Sequence, residues 1–121
     1  MSYDDNNIFA KILREEIPCK KIYEDEFVLS FYDVNPQKKI HALVIPKGKY
    51  IDLDDFNLKA SDKEIVGLIK GISIVAKKLG ISVDNGKGYR TLVNISDYGG
   101  QEVPHLHFHL FGGEKVGKMV E

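Results

Sequence analysis

Three of the four histidines in this chain stand at alternate positions in the run His105-Leu106-His107-Phe108-His109-Leu110-Phe111. Successive side chains of an extended strand point to opposite faces, so in a strand all three imidazoles share one face. Leu106, Phe108 and Leu110 then share the other and are expected to pack against a helix. One histidine on such a front would suit a solvated face. Three together argue for chemistry.

Two kinds of chemistry fit. A metal ion needs ligands about 2 Å away, and same-face positions lie about 6.5–7 Å apart along a strand, so two imidazoles can share an ion. The outer pair is about 13 Å apart, so a metal would require two of the three plus His41 or a carboxylate. Anion chemistry asks for less rearrangement. Imidazoles donate to phosphate oxygens, and a neutral ring nitrogen attacks phosphorus when its other nitrogen is tied to an acceptor such as a backbone carbonyl. The negative charge that develops needs fixed donors, which other histidines and backbone N–H groups supply. Gly99-Gly100, in the loop Ser96 to Pro104 before the run, is a weak phosphate signal or simply a loop.

The strands and helices around this run are legible in outline. Asn7 is a cap for a short helix whose apolar residues Ile8, Phe9, Ile12 and Leu13 recur at helical spacing, and Pro18 closes that region. Lys21 to Asp25, Phe27 to Val34 and His41 to Ile45 read as strands, with Asn35-Pro36 and Pro46 to Gly48 turning the chain between and after them. Ile51 to Phe56 suggests one helical turn. Ser61 and Glu64 form a capping box for a long helix with the stripe Ile65, Leu68, Ile69, Ile72, Val75, Ala76 and Leu79, stopped at Gly80. Tyr89 to Ile95 and His105 to Phe111 supply two more strands. The expectation is an α+β fold: a five-stranded antiparallel sheet, one long helix and a short N-terminal helix.

Composition limits the partners. The chain has 121 residues, 43% hydrophobic and 29% charged, which suits a single domain over 1–121 with one core. Its net charge is −1 and its lysines are interspersed with acids. A reader of nucleic-acid backbone needs clustered cations, so nucleic acid is not an expected partner. The single cysteine, Cys19, cannot form an internal disulfide and is expected to be an idle thiol in a reducing compartment. No apolar run approaches a membrane span, and the acidic, polar start is unlike a signal peptide, so a cytoplasmic protein is expected.

The histidine run resembles the signature of the histidine-triad (HIT) family, three histidines alternating with apolar residues. Further patches in the same order resemble its Hint-like nucleotide-binding branch: Ile8-Phe9-Ala10-Lys11-Ile12, Glu16-Ile17-Pro18, Ser30 to Pro36, His41 to Lys47, Gly88-Tyr89-Arg90 and Gly99-Gly100-Gln101. The likeness runs from about residue 8 to 113, leaving 114–121 as a tail. In that family the middle histidine is the nucleophile, which implies that His107 forms a transient nucleotidyl-histidine. His109 would then contact the phosphate, His105 would orient the nucleophile partly through its backbone carbonyl, and His41 would complete the site. Asn94 and the loop residues Gly100, Gln101 and Glu102 would face the phosphate. Asp33 would take the ribose diol, and Ile8, Phe9, Phe31 and Val34 would hold the base.

Read without the family, the same positions have plainer roles: core for Ile8, Phe9, Phe31 and Val34, a turn cap for Asp33, and a structural imidazole for His41. One departure stands out, since some relatives carry Ser where Glu102 stands. The expectation is that Glu102 turns its carboxylate away and offers its backbone N–H. The resemblance implies two-step hydrolysis of purine nucleoside 5′-monophosphoramidates, with neither metal nor other cofactor. Two alternatives are hydrolysis of dinucleoside polyphosphates or other nucleotidyl conjugates, and a non-catalytic nucleotide-binding interaction protein. It also implies a homodimer in which the long helices meet around Gly67 and Gly71.

Overall fold

Asn7 opens the first helix as its residue type suggests, accepting a hydrogen bond from the Ala10 N–H and so satisfying a donor that the first turn leaves free. In the computed structural model, which describes residues 2–120, that helix (α1) spans Ile8–Leu13. Three strands follow: β1 (Lys21–Glu24), β2 (Val28–Tyr32) and β3 (Ile40–Pro46). The single turn expected near Ile51 is a longer helix, α2 (Leu53–Lys59), capped by Asp52. Next comes α3 (Asp62–Lys78), with both halves of the Ser61/Glu64 capping box formed. Strands β4 (Arg90–Val93) and β5 (Phe108–Gly112) complete the fold.

All five strands pair antiparallel in the order β1-β2-β3-β5-β4, so the fold is the expected α+β arrangement. The central strand β3 is covered on both sides and is buried along almost its whole length. Its alternation divides the interior. Ala42 and Val44 join Val28, Leu106 and Leu110 behind the sheet, packed against Leu68, Ile72, Val75 and Ala76 of α3. Leu43 and Ile45 face forward with Leu29 and Phe31, covered by Phe9 and Ile12 of α1. Because α1 is short, it covers only part of the front. The histidines lie on this front face.

Three local readings are revised. Ile69 lies on the flank of the α3 stripe and is 55% exposed. Gly67 and Gly71 do not open a seam outward: a Cβ on Gly67 would lie 2.5 Å from the Phe27 ring, and one on Gly71 would lie 3.1 Å from Val28. They let α3 approach its own sheet. The strands are also shorter than the sequence suggests, and β4 stops just before Asn94. Among the described residues, no helix is long and apolar enough to cross a membrane.

Candidate active site

The histidine run was expected to be strand throughout, but β5 begins only at Phe108. Its neighbour explains the difference. β3 ends at Pro46, whose nitrogen points toward β5 and carries no hydrogen, so the ladder cannot extend past that residue. The Pro46 carbonyl, left without its ladder partner, accepts a hydrogen bond from Nε2–H of His105 at 2.9 Å. The Leu106 N–H reaches past it to the carbonyl of Tyr50. Facing nevertheless continues to alternate, with Leu106 and Leu110 in the rear core and His107 and His109 on the front cleft.

Since Pro46 accepts from Nε2 of His105, the other nitrogen of that ring must be an acceptor, and the Tyr3 hydroxyl donates to Nδ1 at 2.6 Å. His105 is fully buried. Its backbone carbonyl in turn accepts Nδ1–H of His107 at 2.8 Å. A neutral imidazole has one N–H, so this bond leaves Nε2 of His107 with a lone pair. That nitrogen has no partner among the described residues and is not sealed from the cleft, because every buried side-chain nitrogen and oxygen is paired.

A second chain of hydrogen bonds sets His41 and His109. The Gln37 amide donates to Nδ1 of His41 at 3.2 Å, which places the His41 proton on Nε2. Nε2–H then points at Nδ1 of His109, 2.9 Å away, with Oδ2 of Asp33 at 3.4 Å. With its Nδ1 accepting, His109 carries its own proton on Nε2. Phe111 packs against both rings, 4.3 Å from His41 between centroids and stacked on His109 at 5.8 Å. The two cleft imidazoles are thereby made unlike: His107 with a free lone pair on Nε2, His109 with its hydrogen there.

Burial holds all four rings toward the neutral form. It lowers His105 to about 4. It also lowers His109 to about 4, helped by the neighbouring His107 and His41. His41 is lowered by burial against the opposing pull of Asp33. His107 is lowered too, with the His105 carbonyl and then the carboxylates of Asp33 and Glu102 pulling the other way.

Asp33, His41 and His109 each offer a ligand atom within 4.8 Å of the others and could hold a metal ion. The donor pattern opposes it. An imidazole that binds metal through Nε2 keeps its proton on Nδ1, but the Gln37 N–H is aimed at that atom.

A front cleft of about 340 Å³ gathers most of the residues singled out from sequence: Ile8, Phe9, Phe31, Asp33, Val34, Asn94, Glu102, His107 and His109. Phe9 and Phe31 are also core, whereas Ile8 and Val34 are 45% and 88% exposed at the cleft, more than core residues would be. Asp33 does cap a turn, since Oδ1 accepts from Asn35 N–H, and Oδ2 remains at the cleft. Glu102, expected to turn its carboxylate away, is an exposed residue lining the cleft, and its charge opposes the lowering of His107 by burial.

Two loop residues are not brought in. The Gln101 side chain is used within the fold, accepting from Ser96 N–H and donating to the carbonyls of Ile51 and Val103. Gly100 is exposed with φ +75° and does not line the cleft. Sequence reasoning missed Tyr3, Gln37 and Phe111 as supports, and Ile17, Pro18 and Cys19 as cleft wall. Only Phe111, in phase with the histidines, carried a readable signal.

A family model for the HIT domain matches residues 14–116. The chain belongs to the HIT family. A 13.2 kDa HIT-like protein of Azospirillum brasilense is 50% identical over 119 residues, covering 98% of this chain and 95% of its own. A HIT-like protein of Helicobacter pylori is 48% identical, covering 90% and 98%. Among solved structures, a HIT family hydrolase from Clostridium thermocellum superposes with a TM-score of 0.86 at 36% identity, covering 98% of this chain and 99% of its own. A histidine triad protein from Clostridium difficile gives 0.80 at 40% identity, covering 98% of both.

Proposed function

We propose that this HIT protein hydrolyses purine nucleoside 5′-monophosphoramidates in two steps, with His107 as nucleophile. The observation that carries the reading is the His107 ring, whose Nδ1–H is spent on the His105 carbonyl while Nε2 stands free at the cleft. In the first step the Nε2 lone pair attacks the α-phosphorus and a P–N bond to the ring forms. The bond to the amine breaks, its electrons leave with the amine, and the amine takes a proton from solvent. In the second step a water oxygen attacks phosphorus, the ring recovers its electron pair, and nucleoside monophosphate leaves as the water's proton passes to solvent. Nε2–H of His109 and the Asn94 side chain serve as donors to the phosphate oxygens. Asp33 takes the ribose, and the apolar wall takes the base. HIT family hydrolases from Clostridium thermocellum and Legionella pneumophila support a hydrolytic role.

The second reading, hydrolysis of dinucleoside polyphosphates, would need cations for the extra phosphates. Among the described residues that line the cleft there is no Lys or Arg, which favours the phosphoramidate. Rapid quench with an adenosine phosphoramidate should trap adenylate on His107. His107→Ala should abolish turnover while adenosine monophosphate still binds. Near-normal single-turnover hydrolysis by that variant would remove His107 from the role.

A further inference from the structure

Polarity in the cleft is uneven. Its lining includes two charged side chains, Asp33 and Glu102, and both are acids. They sit at opposite ends. Asp33 follows β2, with its N–H on the His41 carbonyl, so it lies beside the Phe111 end of β5, which pairs with His41. Glu102 belongs to the loop that enters the histidine run from the other end, before His105. His109 and His107 lie between the two acids in that order.

A nucleotide whose ribose rests on Asp33 and whose phosphorus rests at His107 therefore directs what lies beyond its phosphorus toward Glu102. The Glu102 carboxylate has no ion-pair partner among the described residues and is exposed to the cleft solvent. Arg14 and Lys49 are tied to Glu16 and Asp5, and Lys20 and Lys39 lie in the groove at the Asp33 end.

We infer that Glu102 selects the leaving group by charge, favouring nucleotidyl conjugates of amines that carry a further positive charge and rejecting anionic ones. This rests on the phosphoramidate reading above. A leaving amine with a cationic tail compensates the carboxylate as it docks; an acidic tail, or a second phosphate, meets like charge instead. For unit charges about 7 Å apart in a partly hydrated cleft the effect on kcat/KM is roughly three- to tenfold per charge.

The test uses three adenosine 5′-phosphoramidates of matched length, made from 1,3-diaminopropane, butylamine and 3-aminopropionate. Each is assayed with the wild type and Glu102→Gln, and rates are normalised to the butylamine compound within each protein. Wild type should rank the cationic tail above the neutral and the neutral above the acidic. The cationic-to-acidic ratio should collapse toward one in Glu102→Gln, and also in wild type at about 0.5 M salt, where screening acts within a few ångströms. A flat wild-type ranking, or an unchanged ratio in Glu102→Gln, overturns the inference. Release of adenosine monophosphate from the butylamine compound tests the phosphoramidate reading separately. If none is released, that reading fails, and the same compounds are ranked by displacement of bound adenosine monophosphate, where equal displacement refutes the charge selection.

Discussion

A protein that needs a neutral imidazole at physiological pH must prevent the ring from gaining a proton and must decide which nitrogen carries the one it has. Burial does the first here, and two short hydrogen-bond chains do the second: Tyr3 to His105 to Pro46, with His107 on the His105 carbonyl, and Gln37 to His41 to His109. The consequence for stability has a definite sign. His105 and His109 titrate near 4 when folded, against an ordinary 6.5. Between those values the unfolded chain binds more protons, so stability is complete above about pH 6.5 and declines as the pH falls toward 4. Exposed carboxylates act lower: Glu24, held at about 2 by Lys21 and Lys47, stabilises the fold fully above its ordinary 4.5 and loses that contribution only as the pH falls below it. Urea unfolding should therefore give a lower free energy at pH 5 than at pH 7. A flat profile across that interval would mean that the rings are not held neutral.

At the scale of elements, the helix behind the sheet matters through its closeness. Gly67 and Gly71 weaken the intrinsic helicity of α3, each by about 1 kcal/mol relative to Ala. They stand where Phe27 and Val28 press against the helix. Gly67→Ala should thus destabilise the protein, by about 1–3 kcal/mol, although alanine is the better helix former. A Gly67→Ala variant at least as stable as wild type in chemical denaturation would show that Phe27 yields freely. The short α1 has the opposite part. It covers the front only as far as Ile12 and Leu13, and the uncovered remainder is the cleft that exposes Ile8 and Val34.

For the molecule as a whole, we propose a two-fold dimer through α3, as the family resemblance implies. Its contact would be made by Val66, Ile69 and Ile74, which remain 50%, 55% and 38% exposed on that helix. All three are large apolar groups that α3 leaves at its surface. Sedimentation at micromolar concentration should give twice the chain mass. Ile69→Lys should shift it toward the monomer with little change in the folded protomer, since that side chain packs little at home. A wild type that stays monomeric at high concentration would refute the dimer.

Local pattern was enough for much of this protein, because alternation and helical periodicity are properties of neighbours. The Asn7 cap, the Ser61/Glu64 box, the rear-facing Leu106 and Leu110 and the forward-facing His107 and His109 were all readable from spacing. Where the pattern failed, a distant segment decided. The triad strand starts late because Pro46, on another strand, has no hydrogen to give. Tyr3 meets His105 across 102 residues of chain, and no spacing rule reaches so far. Whether Glu102 faced the cleft, and whether Gln101 was free to bind, depended on which backbone groups the folded loops brought within hydrogen-bonding distance. Sequence determined the faces; tertiary contact decided which atoms on those faces hold protons, because a tautomer is set by its partner and the partners here come from remote parts of the chain.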